Sequence, residues 1–263
     1  MKLKPINFVE ALGATILLFA FEYIVAITIH DFGIGVGSGG AISNVVVFVS
    51  TGFLITILMS MTGINYAQVF HSSSNSVKST IVVTLPLLML IFIAATWWYS
   101  DLITVIVYFV PEDRDSLMVL SNMLRPDIFA VLSVCIIGPV LEEILFRGLI
   151  LRSFLYHYAP KNAILLSSLL FSFVHLNWYQ MPSAFFLGCF IGWLFYLTRS
   201  LWPCILAHVI NNSLAFMSAY YWPKEDFNSL LMNLLTFALS VVGVLLISRL
   251  FSASSEHSEK DIT

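Results

Sequence analysis

The sequence predicts an all-α fold, a polytopic bundle of about eight helices that crosses a membrane. Of the 263 residues, 59% are hydrophobic and only 10% are charged, whereas a soluble domain carries about 25% charged residues. The apolar residues also fall in runs close to the roughly 20 residues that a helix needs to cross a bilayer. The net charge of −3, with no cluster of basic residues, gives no indication of nucleic-acid binding.

Apolar stretches separated by short polar links define the predicted spans, which run near Phe8–Ile29, Ala41–Met61, Thr80–Tyr99, Ile128–Leu151, Asn162–Leu176, Ser183–Thr198, Trp202–Tyr220 and Ser229–Phe251. The apolar stretch Leu102–Val110 is too short to cross a membrane, so we interpret it as an extension of the third helix or as an interfacial segment. We divide the chain into residues 1–127 (the first three spans and an external segment), a core of residues 128–220, a last span in 221–251, and a polar, disordered tail in 252–263.

The lysines and arginines predict the orientation of the bundle. With the N-terminus inside, three basic residues fall on the outer side, and they are Arg114, Arg125 and Lys224. Apart from Arg147, which belongs to a motif, the others fall on the cytoplasmic side, and they are Lys2, Lys4, Lys78, Arg152, Lys161, Arg199, Arg249 and Lys260. Because cytoplasmic loops carry the excess of lysine and arginine, we predict a multi-pass protein of the cell membrane with both termini in the cytoplasm.

Two adjacent carboxylates and an arginine interrupt the fourth span. Charged groups at this depth cost several kcal/mol unless they are paired or hydrated, so they are candidates for function. Glu143 and Arg147 are four residues apart with the acid on the N-terminal side, the arrangement that favours an ion pair on one helix face. Glu142 is turned about 100° away from Glu143 and therefore needs another partner.

Three polar groups in later spans lie at a depth that suits Glu142. At about 1.5 Å per residue from the turn between the fourth and fifth spans, Glu142 and His175 agree in level within roughly one helical turn. His208 and Asn212 are four residues apart and share one face of the seventh span. All four side chains are therefore predicted to line one cavity in the membrane.

Gly138 and Pro139 precede the two acids and predict a kink, which would free backbone carbonyl groups and widen that cavity. The residue types suit the addition of water to a peptide carbonyl. A carboxylate in apolar surroundings is a candidate general base, and a histidine beside it can polarise the same water. A second histidine with an amide one helical turn away provides donors for an oxyanion.

Three motifs together resemble the CPBP family, the CAAX-processing and bacteriocin-processing (Abi) intramembrane proteases. The sequence from Glu142 to Arg147 is similar to the EExxxR motif of that family. Phe171 to His175 is similar to its FxxxH motif, and His208 to Asn212 to its HxxxN motif. The motifs occur in the family's order, between Ile128 and Tyr220.

The resemblance implies an intramembrane endopeptidase and a role for each motif residue. Glu142 matches the general base that, together with His175, activates the water. His208 and Asn212 match the pair that stabilises the oxyanion. Glu143 and Arg147 match the second acid and the arginine, for which we expect a structural or substrate-orienting role.

We expect no cofactor, although two histidines and a glutamate could hold Zn²⁺ with an open position. An asparagine amide is a better oxyanion donor than a zinc ligand, which favours a metal-free mechanism. The expected partners are the lipid bilayer and a peptide or membrane-protein substrate. Two other classes stay open: a non-proteolytic scaffold, immunity or regulatory protein with the same fold, and a proton-coupled transporter in which Glu22 and Glu142 would carry protons.

Overall fold

The computed structural model describes residues 4–34, 41–109, 113–123, 127–221 and 230–260, which form ten helices. They are α1 (Phe8–Asp31), α2 (Ala41–Thr62), α3 (Tyr66–Phe70), α4 (Val77–Tyr108), α5 (Arg114–Met123), α6 (Ile128–His157), α7 (Pro160–Phe173), α8 (Met181–Thr198), α9 (Leu201–Tyr221) and α10 (Leu230–Lys260). These ranges contain no β-strand, only an isolated bridge between His71 and Ser200. The predicted all-α fold is confirmed.

Six helices within the described ranges are long and apolar enough to cross a membrane, and they are α1, α2, α4, α6, α8 and α10. The predicted fifth span corresponds to α7, which has only 14 residues. The predicted seventh span corresponds to α9, which has 21 residues but a lower hydropathy because it carries His208, Asn211 and Asn212. A helical membrane bundle is therefore confirmed, with six helices that meet these criteria where about eight spans were predicted.

Helices α4 and α10 extend beyond the predicted spans. Residues 101–108 prolong α4, in agreement with one of the two interpretations of this apolar stretch. Helix α10 continues to Lys260, so the prediction of a disordered tail is wrong for residues 252–260. The propensity of its Ser, Ala, Glu and Lys residues permits the extension of a helix that has already begun in the apolar part. Lys2, Arg125 and Lys224 lie outside the described residues, and the orientation and the domain division stay predictions.

Helix α6 lies at the centre of the bundle and contacts α2, α7, α8 and α9. Its segment Ile144–Leu151 is buried on all sides, as expected of a helix that other helices surround. Two segments of α6, Ser133–Ile137 and Ile144–Leu151, have π-helical turns. The helix therefore carries wider turns both before and after its two adjacent acids, and such turns often occur at functional sites.

Pro139 and the first π-helical segment together leave one backbone carbonyl of α6 without a backbone donor. The N–H of Gly138 donates to the carbonyl of Ser133, five residues back, instead of that of Val134. The next donor along the backbone would be residue 139, which is a proline and has no N–H. The carbonyl of Val134 is therefore left without a backbone donor from residue 138 or residue 139. The kink itself stays a prediction.

Glycines allow close approach between neighbouring helices, most clearly where α10 packs along α4. A Cβ atom at Gly243 would lie 2.5 Å from Cγ1 of Ile91, closer than carbon atoms approach without repulsion. By contrast, a Cβ atom at Gly13, in α1, would have nothing within 4 Å.

These two glycines give opposite expectations for alanine. Gly13→Ala should raise the thermal midpoint of unfolding in detergent, because alanine in a helix interior is about 0.5–1 kcal/mol more favourable than glycine. Gly243→Ala should lower it by an amount equivalent to about 1–3 kcal/mol, the typical cost of overpacking. Midpoints that move in the same direction for both variants would contradict this packing of α10 on α4.

Candidate active site

One cavity of about 340 Å³ is lined by the four candidate catalytic residues. Glu142 comes from the middle of α6, His175 from the turn after α7, and His208 and Asn212 from α9. Because Glu142 is about half way along the 30-residue span Ile128–His157, the cavity lies near the mid-depth of the bundle. The structure thus brings together the side chains whose sequence positions indicated a common depth.

Glu143 is the centre of a buried ionic network. Its Oε1 accepts hydrogen bonds from Nη1 of Arg147 at 3.0 Å and from Nδ1 of His208 at 2.8 Å. The side chains of Glu143 and Arg147 are 0% and 1% exposed. The predicted ion pair is therefore present, but the sequence did not predict His208 as its third member.

The same network leaves one nitrogen of His208 for the cavity. An ionised carboxylate can accept hydrogen bonds but cannot donate them. The hydrogen between Glu143 and His208 is therefore bonded to Nδ1 of His208. The other nitrogen, Nε2, lies 3.8 Å from Oε2 of Glu142. This distance is too long for a hydrogen bond, and the Glu142 side chain is 32% exposed. The carboxyl group of Glu142 is therefore exposed to the cavity, beside Nε2 of His208.

His175 lies outside the helix in which it was predicted. Helix α7 ends at Phe173, and the following turn contains Leu176 with a left-handed φ of 45°. The last carbonyls of a helix lack backbone donors, and Nδ1 of His175 supplies one by donating to the carbonyl of Phe171 at 2.8 Å. The predicted extension of this span to Leu176 is wrong, and the histidine is positioned by capping the helix that precedes it.

Asn212 bridges α9 and α6. Its Nδ2 donates to the carbonyl of Val134 at 2.9 Å, the group that the π-helical turn and Pro139 leave without a backbone donor. Its Oδ1 accepts from Nδ2 of Asn211 at 3.1 Å, which sets the orientation of the amide. One N–H of Asn212 has no partner in these two bonds and is a candidate donor to a bound group.

Phe171 connects the charged residues of the site, although no function was predicted for it from the sequence. Its fully buried ring lies below Cζ of Arg147, 4.4 Å from the ring centroid. The rings of His175 and His208 meet it edge-on, with centroids 5.0 Å and 5.7 Å away. The signal available in the sequence was its position four residues before His175, which places both on one helix face.

The site residues do not form a metal centre in this arrangement. Within the described part of the chain, no three His, Cys, Asp or Glu side chains form a group that could hold a metal ion. Nδ1 of His208 and Nδ1 of His175 are both engaged by oxygen acceptors. The metal-free mechanism stays a prediction, and no step below is derived through a metal.

The comparison with family models identifies the same part of the chain. Residues 124–214, about a third of the sequence, match the Rce1-like model, described as type II CAAX prenyl endopeptidase Rce1-like. The resemblance to the CPBP family is confirmed. The matched family is a family of proteases, and its match includes all three motifs. Searches of curated proteins and of solved structures found no match to the chain.

The two adjacent acids should respond differently to removal of their charge. Glu143→Gln leaves Arg147 buried without its carboxylate, and breaking such a pair costs about 3–5 kcal/mol. We expect less monodisperse protein and a lower thermal midpoint for this variant. Glu142→Gln should stay close to the wild type in both measurements, because its side chain reaches the cavity.

A double variant tests the physical reason. Glu143→Gln combined with Arg147→Met removes both charges, and it should recover part of the stability that Glu143→Gln loses. If Glu143→Gln alone unfolds at the wild-type temperature, the ionic network is not what holds this part of the bundle.

Proposed function

We propose that the protein is an intramembrane endopeptidase in which Glu142 and His175 activate a water that attacks a peptide carbonyl. The observation that carries this proposal is the position of the Glu142 carboxylate, open to the cavity and 3.8 Å from Nε2 of His208. A general base and an electrophile thus face the same space. The match of residues 124–214 to a protease family supports the assignment.

The hydrogen-bond partner of His175 suits it to hold the water. A backbone carbonyl cannot donate, so Nδ1 of His175 carries the hydrogen that it gives to Phe171. In a neutral ring, Nε2 then has a lone pair and accepts a hydrogen bond from the water. Glu142 removes the other proton of this water as the water oxygen bonds to the carbonyl carbon of the peptide. The same proton passes from Glu142 to the leaving nitrogen when the carbon–nitrogen bond breaks.

His208 and Asn212 are the proposed donors to the oxyanion. To donate from Nε2 while Nδ1 donates to Glu143, His208 must be an imidazolium. As Glu142 takes up the proton, the negative charge moves to the oxyanion, which the imidazolium and the free N–H of Asn212 then stabilise.

The environment of the cavity fits a peptide substrate in a membrane. Polar side chains line the cavity together with the motif residues, and they include Asn44, Thr51, Ser133, Gln180 and Ser183. Such a lining can hold the water that the reaction consumes and can bind backbone amide groups of an extended peptide. We propose a peptide or membrane-protein segment as the substrate, and no metal or other cofactor.

Alanine variants test the proposed chemistry. Glu142→Ala, His175→Ala and His208→Ala should each abolish cleavage while the protein still inserts in the membrane. Asn212→Ala should lower turnover by about 10²–10³-fold, the usual effect of removing one oxyanion donor. Comparative peptidomics of cells with the wild type and with Glu142→Ala should reveal the substrate as a peptide product that disappears in the variant.

The control is Glu22→Gln, which removes a membrane carboxyl in α1 that does not line this cavity. Its peptide products should equal those of the wild type. Near-normal cleavage by folded Glu142→Ala would refute the mechanism, and a phenotype that all motif alanines leave intact would indicate a non-proteolytic scaffold. Loss of function in Glu22→Gln together with substrate flux in liposomes would indicate a transporter.

We also propose that the protein lies in the cell membrane with both termini in the cytoplasm. A green fluorescent protein fused after residue 263 should fluoresce, and alkaline phosphatase fused at the same point should be inactive, because the phosphatase folds only in an oxidising compartment. A phosphatase fusion in the polar link near Arg114 should be active. The reverse pattern of the two fusions would invert the orientation.

A further inference from the structure

A second cavity lies near the C-terminal end of α6, where that helix meets the end of α2 and the short helix α3. It has a volume of about 190 Å³, more than ten times the roughly 10–15 Å³ that admits one water. Five of its seven lining residues have polar side chains, and the residues are Pro5, Thr62, Ile64, Gln68, Ser72, Arg152 and Tyr156. It shares no lining residue with the catalytic cavity.

Arg152 is the charged member of this cavity, and its local partners are all neutral. Its guanidinium donates to the carbonyl of Gly148 at 3.1 Å, to Oγ of Ser72 at 2.9 Å and to the carbonyl of Val69 at 3.4 Å. Among the described residues, no carboxylate lies within ion-pair distance of it. Since a guanidinium has five N–H donors, two are left for a ligand.

A second arginine adds to the positive charge. The backbone N–H of Ser72 donates to the carbonyl of Arg199 at 2.9 Å, while the side chain of the same Ser72 accepts a hydrogen bond from Arg152. The guanidinium of Arg199 lies over the ring of Tyr196, 5.1 Å from the centroid. Both arginines are thus connected to Ser72, and two positive charges in one part of the fold attract an anion more strongly than one.

The position of the cavity indicates where the anion comes from. Arg152 is five residues from the end of the span Ile128–His157, so it lies about 7.5 Å from the end of the helix. Tyr156, one turn later on the same face, is 63% exposed, as is common for aromatic residues at a membrane interface. This is the level at which phospholipid phosphates surround a spanning helix.

We propose that this cavity binds the phosphate group of an anionic membrane phospholipid, with Arg152 as the main ligand and Arg199 as the second charge. Arginine suits this role because its planar fork donates two parallel hydrogen bonds to phosphate oxygens. Ser72, Gln68 and Tyr156 supply neutral polar groups around the rest of the head group. The group that the cavity would recognise is a phosphate ester, and phospholipids are the most abundant source of phosphate esters at this depth.

Native mass spectrometry in detergent with added phosphatidylglycerol or phosphatidylcholine tests the proposal. The wild type should retain phosphatidylglycerol, and Arg152→Gln should retain about tenfold less, as expected from the loss of hydrogen bonds to a charged group. Arg199→Gln should also retain less, although it leaves the three bonds of Arg152 in place. Arg152→Lys should retain an intermediate amount of phosphatidylglycerol, because lysine has the positive charge but lacks the planar guanidinium that donates two parallel hydrogen bonds.

Arg249→Gln is the matched control, since it removes the same charge from an exposed position on α10. It should retain phosphatidylglycerol like the wild type. Glu142→Gln should do the same, which makes the result independent of the proposed peptidase activity. Unchanged retention by both Arg152→Gln and Arg199→Gln, or an equal loss in Arg249→Gln, would overturn the site. Equal thermal stabilisation by inorganic phosphate without lipid would overturn the lipid as its ligand.

Discussion

A single carboxylate oxygen, Oε1 of Glu143, holds the motif helices together. It accepts from Arg147 on its own helix and from His208 on α9. Arg147 in turn donates to the carbonyl of Gly188 on α8 at 3.2 Å and lies over the ring of Phe171 on α7. Four helices are thus joined through one ion pair. Buried charges are costly to desolvate, so the arrangement requires all of these partners at once, which restricts how the helices can rotate about their axes.

The first π-helical segment of α6 provides a second connection, and it follows from covalent structure. The N–H of Gly138 donates to Ser133 and Pro139 has no N–H, so the carbonyl of Val134 needs another donor. Asn212 supplies it. The same amide is a proposed oxyanion donor, and its orientation is held by the carbonyl on one side and by Asn211 on the other. Rigidity of this kind is what electrostatic stabilisation of a transition state needs, because the donors must be in place before charge develops.

Local helix geometry made the Glu143–Arg147 pair predictable, because a spacing of four residues fixes which side chains meet. Depth along the helices likewise predicted that Glu142 and His208 share a cavity. The partner of His208 could not be predicted, because the rotation of α9 depends on tertiary contacts such as the approach of Leu201 to Gly148. The end of α7 before His175 could not be predicted either. The mainly apolar sequence continues to Leu176, whereas the helix ends at Phe173.

The proposed catalytic groups come from the motif helices, but another part of the chain closes the cavity. The wall that α2 provides consists of Asn44, Val47, Phe48 and Thr51, which lie outside the segment that matches the family model. Tyr99 of α4 also lines the cavity, and its hydroxyl donates to the carbonyl of Ser183. In the proposed peptidase, a peptide that reaches Glu142 contacts residues that no motif contains. Because selectivity arises from contacts around the reacting carbonyl as well as from the groups that activate it, the proposed function assigns part of the choice of substrate to this wall of the bundle.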